Sequence, residues 1–388
     1  MNKLTLFLCT VLVLGVTISC NNGAEEKTTE NKDTAITLKA DMQKFKSTID
    51  GKETALYTLK NSNGMELTIT NYGGRFVTLL VPDKNGNKTD VIIGMNSAED
   101  FKNSKEPYFG ATIGRYGNRI AKGKFTIDGT AYTLPLNNGA NSLHGGTKGF
   151  QYVVWDAVQP NDSTLELSYV SPDLDQGYPG ELTSKVVYSL TADNAIKMEY
   201  TATTTKPTVV NLTNHAYFNL NGAGNGNILG HLLQIYANEY NPVDSTLIPT
   251  GIAPVANTPF DFTTSTAIGA RINDDNEQLK FGKGYDHNYI LNNTKGEYGL
   301  THAAKAIGDK SGIVMDVYTQ EPGLQFYSGN FMQGQNTMLG GFKDEFRTTF
   351  CLETQHYPDS PNQPSFPSTL LKPGETYHTV SYYKFSTK

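Results

Sequence analysis

Cysteine and tryptophan are scarce in this 388-residue chain, with three of the first and one of the second. Cys9, Cys20 and Cys351 are too few for a disulfide framework, and they form no closely spaced pair of the kind a zinc site uses. No His-x-x-x-His pattern occurs either, and nothing in the sequence supports a catalytic metal. Basic runs are missing and the formal charge is −6, a balance that argues against nucleic acid as a partner. No apolar run reaches the length of about 20 residues that a membrane-spanning helix needs. A sustained 3.6-residue apolar period is also absent, so helices should be few and short. No internal repeat is evident.

What is present is aromatic and glycine-rich. The chain holds 22 Tyr, 18 Phe and 37 Gly, a mix that suits strands joined by tight turns. Its N-terminus differs. Lys3 is the only charge among the first nineteen residues, and residues 4–16 are mostly apolar, leading through Thr17, Ile18 and Ser19 to Cys20. This stretch resembles a bacterial lipoprotein signal, in which the cysteine is lipidated and becomes the new N-terminus. Thr17 and Ile18 depart from the usual leucine and small residue. The expectation is a signal over residues 1–19, lipidation at Cys20, and an exported protein held at a membrane by its lipid alone. The alternative is a plain secretory signal cut nearby. Residues 20–42 are polar and charged and read as a flexible tether, which as a coil spans roughly 25 Å. Cys351 then stands alone and reads as a small buried hydrophobe.

Residues 43–388 read as one domain of strands and turns. Residues 125–127 face residues 130–132 across Asp128-Gly129, a strong two-residue hairpin signal. Asn63-Gly64 and Asn85-Gly86 sit similarly between apolar runs. Residues 185–190 and 196–200 form a further expected pair, and residues 313–318 and 379–383 continue the pattern. The expected fold class is all-β: antiparallel sheets in two packed or bent layers, by default a monomer.

Five polar, Gly- or Pro-flanked segments are embedded among these strands. They are Gly114-Arg115-Tyr116-Gly117-Asn118-Arg119-Ile120, Asn141-Ser142-Leu143-His144-Gly145-Gly146, Asn211-Leu212-Thr213-Asn214-His215-Ala216-Tyr217-Phe218-Asn219-Leu220, Gly284-Tyr285-Asp286-His287-Asn288 and Phe350-Cys351-Leu352-Glu353-Thr354-Gln355-His356-Tyr357-Pro358-Asp359. Singly, each is ambiguous. Together, and in this order, they resemble the motifs of the aldose 1-epimerase, or galactose mutarotase, family. Gly177-Tyr178-Pro179-Gly180, Leu247-Ile248-Pro249-Thr250-Gly251 and Pro322-Gly323-Leu324-Gln325-Phe326-Tyr327 add to the match, which covers roughly residues 45–386.

The resemblance implies a large antiparallel β-sandwich of the galactose-mutarotase-like supersandwich type. It also implies interconversion of the α and β anomers of a free monosaccharide without a required cofactor. By position, Glu353 matches the base for the C1 hydroxyl and His215 the acid for the ring oxygen. His144 matches a second histidine at the sugar; Asn118, Arg119, Asp286 and Gln325 match groups that hold its hydroxyls. Arg119 also suits a structural ion pair, and Asp286 a turn. Exported members of this fold bind Ca²⁺ in some cases, by the same resemblance; no residue here places such a site. Ala216 stands where the family often has serine.

The chemistry suits these residue types. Opening a hemiacetal needs one acid, one base and polar groups that fix the hydroxyls. Imidazole and carboxylate have ordinary pKa values near 6.5 and 4.3, so modest shifts hold them as imidazolium and carboxylate near neutrality. His231, His287, His302, His356 and His378 lack ligand-like spacing and read as surface or structural. Two rival functions use the same residues. A non-catalytic sugar-binding lipoprotein would not require an acid–base pair. A glycoside hydrolase would require two carboxylates flanking the scissile bond, with Asp286 as the second.

Overall fold

Asp128 and Gly129 both adopt left-handed backbone angles, φ 49° and 82°, and fold strand Lys124–Ile127 onto Thr130–Thr133 in the expected register. The structure, a computed structural model, describes residues 39–388. The expected signal, Cys20 and the tether up to residue 38 lie outside the described residues.

Three antiparallel sheets carry the domain. A nine-stranded sheet runs in the order Asp156–Asn161, Thr164–Ser171, Leu182–Leu190, Ala195–Thr204, Tyr377–Thr387, Ile313–Thr319, Thr301–Ile307, Leu232–Ile235, Thr266–Ala267. Its strands Leu182–Leu190 and Ala195–Thr204 alternate buried and partly exposed positions, the period of a sheet with one face on the core. The C-terminal strand Tyr377–Thr387 lies in the middle, between Ala195–Thr204 and Ile313–Thr319. A four-stranded sheet is built from Leu56–Lys60, Glu66–Thr70, Arg75–Pro82 and Lys88–Asp90. A five-stranded sheet runs Ala253–Pro254, Glu239–Tyr240, Asp286–Ile290, Gly323–Tyr327, Cys351–Gln355. Among the described residues the α-helices are Ala98–Asn103 and Glu277–Gly282, six residues each, N-capped by Ser97 and Asn276.

One core joins all three sheets. Leu67, Ile69 and Leu79 of the four-stranded sheet, Leu165, Val186 and Met198 of the nine-stranded, and Leu324, Phe326 and Leu352 of the five-stranded belong to the same buried cluster. Each such side chain contributes roughly 1.5–3 kcal/mol by leaving water. Two polar ties reinforce the layer contact behind the strand that bears Glu353. The Tyr383 hydroxyl donates to the Leu352 carbonyl, and Thr354 Oγ1 pairs with Ser381 Oγ at 2.8 Å.

The domain begins slightly earlier than polarity alone suggests. Ala40 is buried in a second cluster with Phe45 and Phe101, and Asp41 caps the turn Met42–Phe45 by accepting from the Gln43 amide. Composition cannot separate one buried alanine from the polar residues before it, which is why these residues read as tether.

Candidate active site

The floor of the site is the five-stranded sheet. Asn288, Gln325 and Glu353 stand side by side in register on three adjacent strands, so their side chains share one face. The opposite face carries Leu324, Phe326 and Leu352 into the core, which makes the strands rigid supports. Glu353 is 2% exposed, and its Oε2 has no hydrogen-bond partner.

His215 ends the short strand Thr213–His215, paired with Ala111–Ile113. Its Nε2 lies 3.5 Å from Glu353 Oε1, and its Nδ1 lies 3.5 Å from Cys351 Sγ. Tyr108 and Tyr217 are both stacked at 26° to the imidazole, with ring centroids 5.8 and 4.9 Å away. Tyr108 is held by Arg75. This fully buried guanidinium donates to the carbonyls of Pro107 and Phe109 on either side of the tyrosine, and to that of Gln151.

Asn118, Arg119 and His144 come from a two-stranded ribbon, Arg119–Ile120 with Ser142–Leu143. Asn118 and His144 have left-handed φ values of 63° and 50°, a conformation that costs side-chain-bearing residues energy and here is locked by reciprocal bonds. The His144 amide donates to the Asn118 carbonyl, and the Asn118 amide donates to His144 Nδ1, each at 3.1 Å. His144 therefore accepts at Nδ1, and its neutral form carries the proton on Nε2. Gly145, with φ 85°, is required: a Cβ there would meet the Gly114 carbonyl oxygen at 1.9 Å.

Arg119 Nε donates to Asn138 Oδ1 at 3.1 Å, and its guanidinium lies 3.6 Å from Asp286 Oδ2. Gln325 Nε2 donates to Asp286 Oδ1 at 2.7 Å. Asp286 opens the strand Asp286–Ile290 rather than forming a turn.

These groups surround a cavity of about 690 Å³ lined by Asn118, Arg119, His144, His215, Asp286 and Glu353. Every expected site residue among the described ones lies at this cavity except Gln325. It stands on the neighbouring strand and donates to the Asp286 carboxylate. Sequence reasoning missed Tyr108, Tyr217, Tyr327 and Glu106, which also line the cavity. Tyr217 and Tyr327 lay within quoted motifs but carried no acid–base signal. Tyr108, between Pro107 and Phe109, carried none at all. The other five histidines serve the fold. His231 and His287 accept from the backbone amides of Leu220 and Asp286, while His302, His356 and His378 pair with Asp316, Glu321 and Glu199.

Burial works against the imidazolium–carboxylate pair that reference pKa values suggest. Burial pulls His215 down to about 3; a backbone hydrogen bond opposes the shift and Arg75 adds to it. Burial, then the negative Asp286, pushes Glu353 well above the ordinary carboxylate range, with Arg119 opposing. Burial, then His215 and Arg119, also keep His144 well below its usual value. Apart from each other, neither member of the pair has a full counter-charge, because Arg119 faces Asp286. The protein alone thus favours neutral imidazole beside carboxylic acid. The proton count is the same in both forms: one mobile proton shared by Glu353 and His215.

Donor atoms of His144, His215 and Glu353 lie within 4.8 Å of one another. Two imidazoles and one carboxylate do not make the oxygen-rich set that Ca²⁺ takes. As acid–base groups the three need no ion, and His144 Nδ1 already accepts the Asn118 amide.

Comparison with known proteins shows what the chain as a whole is similar to. Residues 55–384 match the family model described as aldose 1-epimerase. The chain is 44% identical over 326 residues to galactose mutarotase of Bos taurus, covering 84% of this chain and 92% of that one. It is 40% identical over 339 residues to aldose 1-epimerase of Escherichia coli strain K12, covering 87% and 96%. Among solved structures, an aldose epimerase homologue from C. elegans superposes with a TM-score of 0.79 at 29% identity, covering 86% of this chain and 99% of that one. Galactose 1-epimerase from Lactobacillus acidophilus gives 0.76 at 30% identity, covering 88% and 97%.

Proposed function

This chain belongs to the aldose 1-epimerase family, and we propose that Glu353 and His215 carry out the anomer interconversion that defines it. The protein is an isomerase that converts α and β anomers of free aldoses into one another, a chemistry that uses no cofactor. The observation that carries the assignment is the 3.5 Å approach of Glu353 Oε1 to His215 Nε2 at the wall of a sugar-sized cavity. The C1 hydroxyl and the ring oxygen hang from one carbon, so their acid and base must be neighbours.

In the forward half, the Glu353 carboxylate removes the C1 hydroxyl proton and the His215 imidazolium delivers its Nε2 proton to the ring oxygen. The O–H electron pair becomes the second bond of the carbonyl, and the pair of the C1–ring oxygen bond leaves on the oxygen. Glu353 ends protonated and His215 neutral, the state that burial favours. Rotation about C1–C2 presents the other carbonyl face, and closure runs both transfers in reverse. His144 offers an Nε2–H toward the same region, while Asn118, Arg119 and Asp286 hold hydroxyls. Sugars of the glucose or galactose type fit this donor set, and galactose is the sugar named for the mammalian relatives.

Polarimetry on fresh α-galactose tests the assignment: Glu353→Gln should lose most turnover with little change in KM, and near wild-type turnover would remove Glu353 from the chemistry.

For location, the apolar run before Cys20 supports an exported protein anchored by lipid at that cysteine. Among the described residues no helix is long and apolar enough to cross a membrane. Mass spectrometry of the mature N-terminus tests this: a diacylated Cys20 supports it, and an unmodified N-terminus elsewhere refutes it.

A further inference from the structure

We infer that Cys351 is a positioning residue for this reaction: its thiol is the side-chain partner of His215 Nδ1, and the contact holds the imidazole with Nε2 turned to Glu353 and the sugar. The inference rests on the reading of His215 as the acid.

Sγ and Nδ1 are 3.5 Å apart, and on the far edge of the ring Nε2 and Glu353 Oε1 are also 3.5 Å apart. Cys351 and Glu353 sit two residues apart on one strand and face the same side. A single strand therefore addresses both nitrogens of one imidazole. Tyr108 and Tyr217 fix the plane of that ring but not which edge meets Glu353. A half-turn about the Cβ–Cγ bond would keep the stack and put ring carbons where the two nitrogens stand. The thiol at Nδ1 distinguishes these orientations, because the partner of one ring nitrogen decides what the other presents.

The chemical nature of the partner matters too. A carboxylate at Nδ1 makes an imidazole more basic and its imidazolium a weaker acid. The groups facing His215 are Glu353 and Cys351 from one strand, Tyr327 from the next, Tyr217 from beyond its own strand, and Tyr108, His144 and Arg75 from the surrounding segments. None places an anion at Nδ1. Burial keeps the Cys351 thiol protonated, so it orients the ring without acting as a counter-charge. Protonated His215 is then a strong acid, as transfer to a weakly basic ring oxygen requires.

The test compares Cys351→Ser, which retains a polar partner, with Cys351→Ala and Cys351→Val, which do not and which bracket the side-chain volume. Readouts are polarimetric kcat and KM across pH and the ¹⁵N signals of His215. Cys351→Ser should stay within about threefold of wild type, while Ala and Val lower kcat about tenfold or more, leave KM nearly unchanged and move the acid limb of the profile. Ala and Val variants within about twofold of wild type, with an unmoved profile, would overturn the inference. So would a Ser variant as impaired as Ala. Should Ala and Val not fold, the Nδ1 signal of the Ser variant decides: it shifts if residue 351 is the partner, and an unmoved signal refutes the contact. A fully active His215→Asn would instead remove the acid assignment itself. An inactive His215→Asn beside a fully active Cys351→Ala removes only the role given to Cys351.

Discussion

Glu353 Oε1 lies 3.5 Å from His215 Nε2, while the other oxygen of the same carboxylate is buried with no hydrogen-bond partner. Elsewhere in the protein His356 and Glu321 meet at 2.6 Å. A buried polar atom left unsatisfied costs about 1–3 kcal/mol. The Glu353–His215 pair therefore leaves acceptor capacity that a sugar hydroxyl can fill.

Burial of the Glu353 carboxyl sets an expectation for stability. Burial holds the Glu353 pKa above its unfolded value. As pH rises from the unfolded pKa toward the folded one, the unfolded chain releases this proton first, and the folded state loses stability across that window. Glu353→Gln removes the loss. Denaturant unfolding near pH 8 should show the variant more stable than wild type by about 1–2 kcal/mol, with the gap closing near pH 4. A variant less stable at the higher pH would contradict the buried, unpaired environment assigned to this carboxyl.

Arg119 touches Asn138 through Nε and Asp286 through its terminal nitrogen, so its planar fork, rather than its charge alone, sets the geometry. Arg119→Lys keeps the charge and loses the fork. KM for the sugar should rise about tenfold with a smaller change in kcat. An unchanged KM would place Arg119 outside the sugar contacts.

Gln325 acts through Asp286, to which it donates at 2.7 Å. Gln325→Leu should raise KM, and the effect should vanish in an Asp286→Ala background, because both changes remove the same contact. Additive effects of the two substitutions would mean that Gln325 meets the sugar independently.

Much of this architecture is legible in the residues. Asp128-Gly129 announces its hairpin because two consecutive left-handed positions tolerate few other pairs. Glu353, His215 and His144 are legible only through the resemblance of their motifs, taken together and in order, to those of a known family; each segment alone is ambiguous. Tyr108 and Arg75 are not legible at all. Their role arises from a loop brought beside His215 by contacts between Arg75 and residues 107, 109 and 151, and no local pattern encodes such a meeting. The protonation of the pair is equally hidden, since it depends on burial and on Arg119 being turned to Asp286. Cys351 looks like filler in its apolar run and becomes more only once His215 is seen against its sulfur.

Arg75 is itself testable. Replacing it with methionine leaves two buried carbonyls and one partly buried one without their donor, which should cost at least about 2 kcal/mol of stability. Tyr108 would also lose its support against His215, so kcat should fall in protein that remains folded. A folded Arg75→Met variant with wild-type kcat would show that the tyrosine stack is dispensable.

The most direct test of the central claim is a double-mutant cycle read by polarimetry on fresh α-galactose: wild type, Glu353→Gln, His215→Asn and both together. Acting as one proton-transfer unit, the two residues should each cost about 10²–10⁴-fold in kcat when replaced singly, and the double variant should be little worse than either. Single losses that multiply in the double variant, or either single variant turning over at the wild-type rate, would contradict it.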